Sequence, residues 1–412
     1  MKILFVSPYV PNEIRVRPYN WIRHLAMRGH RITLLTVCTS DEDRQVLADL
    51  DQYCEQIKQV TLPTWRSMIN CLKALPSEEP LQAVYSWDSK LAEGLFELAT
   101  SSNGSGNYDV VHIEHLRAAR YGIDLIKRGG LNKSPLPIVW DSVDSISLLF
   151  RQAMVQSKRY LSREITRFEL RRTEKYEGFL VGKFDRVLVT SENDKQALMA
   201  LSQSEIEESK VVVLPNGVDL GYFTPGEISG REKKTIVLSG KMSYHANESM
   251  VVDFMEEILP HVWSRFPDVK VWIVGKDPPS KIKSYAQNPR VTVTGTVADI
   301  RSYLNTATIS ASPINYGVGI QNKVLEAMAC GTPVVASKHA VSALSVEDGK
   351  EIIVAGGPID FAEKLNSLLD DPDKREKIGK AGRRFVEEKH DWANGAAHLE
   401  ELYEQAVRQR AN

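Results

Sequence analysis

Hydrophobic positions along the chain come in short, nearly unbroken runs, and the stretches between them carry apolar residues at helical spacing. Lys2–Ser7 reads as a strand that Pro8 and Pro11 stop at once. Residues 19–28 place Trp21, Leu25 and Arg28 at helical spacing, Gly29 ends the pattern, and residues 31–37 read as the next strand. Strands follow at 110–113 and 138–141, then a long, charged helical stretch over about 146–178. A strand at 186–190, a helix over Glu192–Leu201 and a strand at 210–214 come next. Residues 101–107, rich in Ser, Gly and Asn, read as a loop tip. Strands alternating with helices imply a parallel sheet covered on both faces.

At Pro215-Asn216-Gly217-Val218-Asp219 the residues are those of a turn, and a polar stretch with Pro225, Gly226 and Gly230 follows. A second α/β series starts there, with strands at Thr235–Ser239, Lys270–Val274, 291–294, 308–311, 333–336 and 351–354. The chain ends in a helix over about 393–408 with Leu399, Leu402, Tyr403 and Ala406 on one stripe. The predicted class is α/β: two Rossmann-like doubly wound domains facing a cleft. Their bounds are residues 1–215, a linker at 216–233, residues 234–390 and a closing helix at 391–412. Ligands of such sheets bind outside the carboxyl ends of strands, so the loops after strands are where chemistry is expected.

Length agrees with this division, because 412 residues exceed what one hydrophobic core holds. A net charge of -1 removes the broad positive field that a nucleic-acid binder needs. Cys38, Cys54, Cys71 and Cys330 lack CxxC spacing, so neither a zinc site nor a disulfide framework is expected, and the thiols read as reduced. The first apolar run is too short for a signal peptide, and no apolar stretch of about 18 residues suits a membrane span. The expected location is the cytoplasm, with contact at the inner face of the membrane left open.

The most informative stretch is 308–335, which reads strand, loop, helix, turn, strand. Gly317 and Gly319 let backbone approach a ligand closely. The following helix aims its free N–H groups and positive dipole end at that ligand. Lys323 lies near the first turn, where a cation opposes the dipole unless a diphosphate sits in front of it. Glu326 follows three residues later on the same face, and a carboxylate can accept hydrogen bonds from two adjacent hydroxyls, as on a ribose. Together these make a nucleotide-diphosphate site, although spacing alone fits a solvated Lys323–Glu326 ion pair equally well.

The run KVLEAMACGTPVVAS at 323–337 resembles the signature region of the retaining nucleotide-sugar transferases of glycosyltransferase family 4. The form GIQNKVLEAMA at 319–329 is most similar to bacterial sugar transferases linked to exopolysaccharide clusters. The resemblance spans nearly the whole chain, more weakly in the middle. It implies a GT-B fold whose last helix crosses back to the first domain. It also implies metal-independent, retaining hexosyl transfer from a nucleotide diphosphate sugar, UDP by default. The acceptor would be a hydroxyl of a glycan, glycolipid or small molecule. The nucleotide sugar is then a substrate, and no cofactor is implied. The implied partners are that donor and a sugar or lipid-linked acceptor.

By the same resemblance Glu326 holds the ribose and Lys323 the donor diphosphate, with Gly319, Ile320, Gln321 and Asn322 beside the donor. Lys241, in Gly240-Lys241 after Thr235–Ser239, pairs with Lys323 on the leaving diphosphate. The backbone of Gly295-Thr296-Val297 surrounds the base. His115, with Glu114 as the second candidate, points at the reacting sugar. Arg17 meets phosphate or acceptor, or is solvated, and Asp141-Ser142-Val143-Asp144 lines the acceptor side. Two departures leave the sugar unfixed: Val318 stands where many relatives carry a glutamate, and Asn12-Glu13 replaces a Gly-Gly pair.

The basic stretch with Arg151, Lys158, Arg159, Arg163, Arg167, Arg171, Arg172 and Lys175 fits a salt-bridged surface helix, or a peripheral contact with an anionic membrane. The segment from Gly317 to Asn322 lacks the third small residue of a dinucleotide fingerprint and lies late in its domain. Asp-x-Asp triplets at 41–43, 49–51 and 371–373 fall in charged, turn-like stretches and do not read as a metal site. An epimerase-like enzyme or a nucleotide-sugar-binding regulator on the same scaffold is the alternative. The sequence leaves the oligomeric state undefined.

Overall fold

The computed structural model describes residues 1–12, 15–101, 108–130, 134–156, 160–202, 205–226, 230–315 and 319–411. The chain forms two compact units, Met1–Pro215 with Trp392–Asn412, and Asn216–Asp391.

The first unit is built on β1 (Lys2–Ser7), β2 (Arg31–Cys38), β3 (Gln56–Thr61), β4 (Val110–Glu114), β5 (Ile138–Val143), β6 (Arg186–Val189) and β7 (Val211–Val213). They pair in parallel in the order β3-β2-β1-β4-β5-β6-β7. The central strands are buried on both faces, which is why β1 reads as an unbroken apolar run instead of an alternating one and why β4 buries even His112 and Glu114. Leu4, Val6 and Trp140 pack on one side with Leu116 and Tyr121, while Ile3 and Phe5 pack on the other with Trp21, Leu399 and Tyr403.

The closing helix Trp392–Ala411 thus belongs to the first unit. Its Trp392 ring meets Trp21 edge-on at 4.7 Å, and Tyr403 Oη lies 2.7 Å from His112 Nδ1. Gly395 is required there, because a Cβ would sit 2.9 Å from the Trp21 ring.

The second unit contains β8 (Thr235–Ser239), β9 (Lys270–Val274), β10 (Val291–Gly295), β11 (Ile309–Ser312), β12 (Val334–Ser337) and β13 (Ile353–Ala355). Its parallel order is β10-β9-β8-β11-β12-β13. In both sheets the order reverses at the first strand: between β1 and β4, and between β8 and β11. Those reversals are the crevices where doubly wound sheets take ligands.

Several elements differ from the sequence reading. The charged stretch is two helices, Ile146–Gln156 and Tyr160–Lys183, rather than one. Strand β3 was not expected; its sequence QIKQVT is mostly polar because the strand lies at the sheet edge and stays half-exposed. Helices Thr64–Ala74, Leu81–Tyr85 and Ser89–Thr100 follow β3, and the loop tip expected at 101–107 lies almost wholly outside the described residues. Among the described residues no helix is long and apolar enough to cross a membrane. The four cysteines are free thiols, Cys38 and Cys330 buried and the others half-buried.

Candidate functional site

The reversal in the second sheet puts the ends of β8 and β11 side by side. Ser239-Gly240-Lys241 leaves β8, and the segment from Pro313 to Gln321 leaves β11 and enters the helix Asn322–Ala329. Gly317 and Val318 lie outside the described residues, as does Glu13 in the first unit. Gly319 has a φ of 74°, in the left-handed region that favours glycine, just before the helix begins.

Helix Asn322–Ala329 is placed by its apolar face. Val324, Leu325, Ala327, Met328 and Ala329 are buried, which leaves Lys323 and Glu326 on the more open side. Its far end closes with Gly331 at φ 64°, whose N–H bonds Met328 O at 2.9 Å, while Thr332 N–H bonds Ala327 O at 3.0 Å. Its start is different: Gln321 makes no side-chain cap bond, and the Asn322 amide oxygen is buried without a hydrogen-bond partner. An uncapped helix start beside a left-handed glycine is an anion-accepting geometry.

Asn247 ties the two loops together. Its Oδ1 accepts a hydrogen bond from Lys323 Nζ, and its Nδ2 donates to the Lys241 carbonyl at 2.9 Å. Gly240 is needed for this, since a Cβ there would stand 2.8 Å from Asn247 Nδ2. The loop after β9 locks in behind: Met242 N–H bonds Lys276 O at 2.8 Å, and a Cβ on Gly275 would overlap the Gly240 carbonyl oxygen at 1.7 Å.

Burial pushes the Lys323 ammonium down to about 8, with the Glu326 carboxylate opposing the shift. Burial lifts Glu326 to about 7, with Lys323 opposing. Among the described residues, the Glu326 carboxylate has no hydrogen bond and no ion pair within 4.0 Å, while its backbone carbonyl accepts the Cys330 N–H at 3.0 Å. The solvated Lys323–Glu326 pair that spacing allowed is therefore not what forms. Lysine and glutamate are held side by side, each half-buried, and among the described residues the carboxylate has no partner. Lys241 has an exposed side chain, and Gly295 (φ 70°) with exposed Thr296 and half-buried Val297 ends β10.

The first unit carries the remaining candidates. His115 follows β4 with a φ of 66°, a conformation that L residues rarely adopt, and its Nδ1 accepts the Arg117 N–H at 3.2 Å. Val143 at the end of β5 has a φ of 69°, where the pairing with β6 shifts register. Backbone strain of this kind collects at functional sites. Burial, helped by Arg117, holds the His115 imidazole at about 4, so it is neutral at pH 7.

Arg17 and Glu114 require correction. Arg17 is only 3% exposed, and its Nε and Nη2 donate to the two oxygens of Asp141 at 2.8 and 3.0 Å. A buried guanidinium is stable only when paired, so Arg17 is committed to the interior rather than to phosphate, acceptor or solvent. Asp141 also takes the Trp21 indole N–H at 3.2 Å, which removes it from the acceptor side. Glu114 is fully buried, its Oε1 has no partner, and burial raises its carboxyl well above the usual range. His112, Glu114 and Asp141 offer ligand atoms within 4.8 Å of one another, but Arg17 already occupies both Asp141 oxygens and Tyr403 occupies His112 Nδ1.

Comparison with known proteins matches both halves. Residues 15–222 match the family described as Glycosyltransferase Family 4, and residues 233–371 match Glycosyl transferases group 1. A D-inositol 3-phosphate glycosyltransferase of Corynebacterium kroppenstedtii is 27% identical over 254 residues, 56% of this chain and 55% of that one. A GDP-mannose-dependent monoacylated alpha-(1-6)-phosphatidylinositol monomannoside mannosyltransferase of Corynebacterium glutamicum is 31% identical over 200 residues, 43% of this chain and 52% of that one. The chain spans about half the length of these relatives. Among solved structures, Anabaena Alr3699/HepE in complex with UDP and glucose superposes with a TM-score of 0.65 at 15% identity, covering 98% of this chain and 100% of that one. Sucrose-phosphate synthase from Thermosynechococcus elongatus gives 0.69 at 19% identity, covering 99% of each. These neighbours share the GT-B fold.

Proposed function

The chain belongs to glycosyltransferase family 4, and on that premise we propose that it moves a sugar, with retention, from a nucleotide diphosphate donor to a hydroxyl of a glycan or lipid-linked acceptor. The observation that carries this reading is the pair Lys323 and Glu326 at an uncapped helix start, with the ammonium held by Asn247 and the carboxylate without a partner among the described residues. The donor diphosphate lies against the N–H groups of residues 319–323, with Lys323 and Lys241 as cations, and Glu326 accepts from the ribose. Departure of the nucleoside diphosphate concentrates negative charge where these donors already point, so the site needs no reorganisation. In the first unit, neutral His115 offers a hydrogen bond at the acceptor side. UDP is the nucleotide favoured here because a UDP-bound neighbour shares the fold, while one relative's name carries GDP-mannose.

Isothermal calorimetry with UDP and GDP, together with release of nucleoside diphosphate from UDP- and GDP-sugars in excess chelator, tests the proposal. Binding without release under any acceptor would instead indicate a nucleotide-sugar-binding regulator. Absence of binding by either nucleotide would end the donor-site reading.

A further inference from the structure

The donor groups follow β8 and β11, but the opposite ends of the second sheet open on a separate cavity of about 630 Å³. Lys233, Thr308 and Pro333, which lead into β8, β11 and β12, line it together with residues of the helix Pro372–Lys389. Strands of four or five residues therefore stand between this cavity and the donor loops, a separation of about 15 Å at roughly 3.3 Å per residue. A cavity of this size suits a small metabolite.

Its lining is cationic. Arg231, Lys233, Arg375, Lys380, Arg383 and Arg384 stand there against three carboxylates, Glu232, Asp373 and Glu376. Glu232 lies 3.4 Å from Lys270, Glu376 pairs with Lys380, and Arg383 pairs with Glu387. Arg231 and Arg375 are half-buried and meet only neutral oxygens. Arg231 donates to the Leu304, Ala307 and Cys330 carbonyls and to Thr332 Oγ1, at 2.9 to 3.2 Å, and Arg375 donates to the Leu368 and Leu369 carbonyls at 2.6 and 2.9 Å. These bonds close helix ends and explain why two arginines lie there, but they bring no counter-charge. Lys233 and Arg384 are exposed, and among the described residues neither side chain has a hydrogen bond or an acidic partner within 4.0 Å. Four unpaired cations thus face Asp373 alone. Charges gathered in a concave, partly desolvated wall ordinarily meet an opposite charge.

We propose that this cavity binds a small metabolite bearing two phosphate groups, at a site remote from the donor crevice. Lys233 and Arg384 supply the free donors, and Arg231 and Arg375 supply fixed positive charge beside them. Pro225, Pro333 and Pro372 offer apolar surface for a carbon skeleton. One phosphate, at about −1.5 to −2, does not balance the surplus, and two do. The assignment does not depend on the donor reading, because the two sites share no residue.

The test is calorimetric titration of the full chain, saturated with UDP, with inorganic pyrophosphate and with fructose 1,6-bisphosphate. Saturable binding that weakens with salt is expected. Lys233→Glu with Arg384→Glu should weaken it about tenfold or more, while UDP affinity and the melting temperature stay as they are. Lys323→Ala, which strikes the donor site, should leave it intact. Tighter binding of pyrophosphate would show that the phosphates alone are read, and tighter binding of the bisphosphate that the proline surface takes part; either supports the site. Three results would overturn it: no saturable binding of either probe, binding that the double variant retains, or binding that Lys323→Ala abolishes. A native chain that takes pyrophosphate but not UDP would end the donor reading and leave this one standing, provided the double variant loses the pyrophosphate.

Discussion

Asn247 accepts the Lys323 ammonium on Oδ1 while its Nδ2 grips the Lys241 carbonyl, so one buried amide sets the position of a cation delivered by a different loop. Asn247→Ala should release the Lys323 side chain without removing its charge. UDP affinity measured by calorimetry is then expected to fall by about 1.5–3 kcal/mol, the worth of a hydrogen bond to a charged group. Asn247→Asp should fall further, since an anion there neutralises the ammonium that the diphosphate needs. Equal affinity in all three proteins would show that Lys323 is not positioned through this amide.

Removing the cation itself is a larger change. Lys323→Ala should lower kcat roughly 10²–10³-fold, as loss of a pre-aimed donor to a developing anion does elsewhere. Glu326→Ala should act mainly on binding, weakening the nucleoside diphosphate by about 2–3 kcal/mol. Steady-state assays that report kcat and KM separately distinguish the two roles; identical profiles for both variants would contradict the division.

The pair also predicts a pH dependence. The ammonium must be protonated to attract the diphosphate, so its contribution is complete below about 8 and lost as pH rises through that value. The carboxylate must be ionised to accept from a ribose, so its contribution is complete above about 7 and lost as pH falls through it. UDP affinity should therefore peak between these values. Glu326→Gln should flatten the acid limb and Lys323→Met the alkaline limb, which separates both from titration of the ligand.

Much of this site was legible in the sequence because its parts are local. The run from Gly319 to Glu326 carries its own glycine, helix start and i,i+3 pair, and such spacing survives folding unchanged. The alternation that gave two doubly wound sheets was legible for the same reason, and the first and second strands of each sheet fall within a residue or so of their expected bounds. Asn247 was not legible, since nothing near it in the sequence points to the side chain it holds. Its partner lies 76 positions away, and only the order reversal between β8 and β11 brings them together. Arg17 was misread for a related reason. A lone arginine in a loop-like stretch reads as surface, and the carboxylate that draws it inside lies 124 positions later.

That ion pair can be tested apart from the donor chemistry. Arg17→Met leaves Asp141 buried with only the Trp21 indole and the Val143 N–H, at 3.1 Å, as remaining donors from the described network. Breaking a buried pair from one side costs about 3–5 kcal/mol. Chemical denaturation should show the first unit losing stability by that order, while UDP affinity is retained. A surface role for Arg17 predicts the reverse: unchanged stability and altered kinetics.

The closest backbone approach behind the donor loops supplies the final test. A Cβ at Gly275 would lie 1.7 Å from the Gly240 carbonyl oxygen, and no rotation of a flexible side chain can relieve a clash with backbone. Gly275→Ala must instead displace the loop after β9 or the one after β8, and the second of these holds Lys241 and the Asn247 anchor. Both stability and nucleotide affinity should fall, the former by roughly 2–4 kcal/mol as overpacking and backbone strain combine. Gly349 is the comparison: it has a φ of 80°, but a Cβ there meets nothing within 4 Å. Gly349→Ala carries the conformational penalty alone, about 1 kcal/mol, and should leave UDP calorimetry unchanged. If the two alanine variants lose affinity to the same degree, the damage comes from general destabilisation of the unit, and the packed loops after β8 and β9 do not shape the nucleotide site.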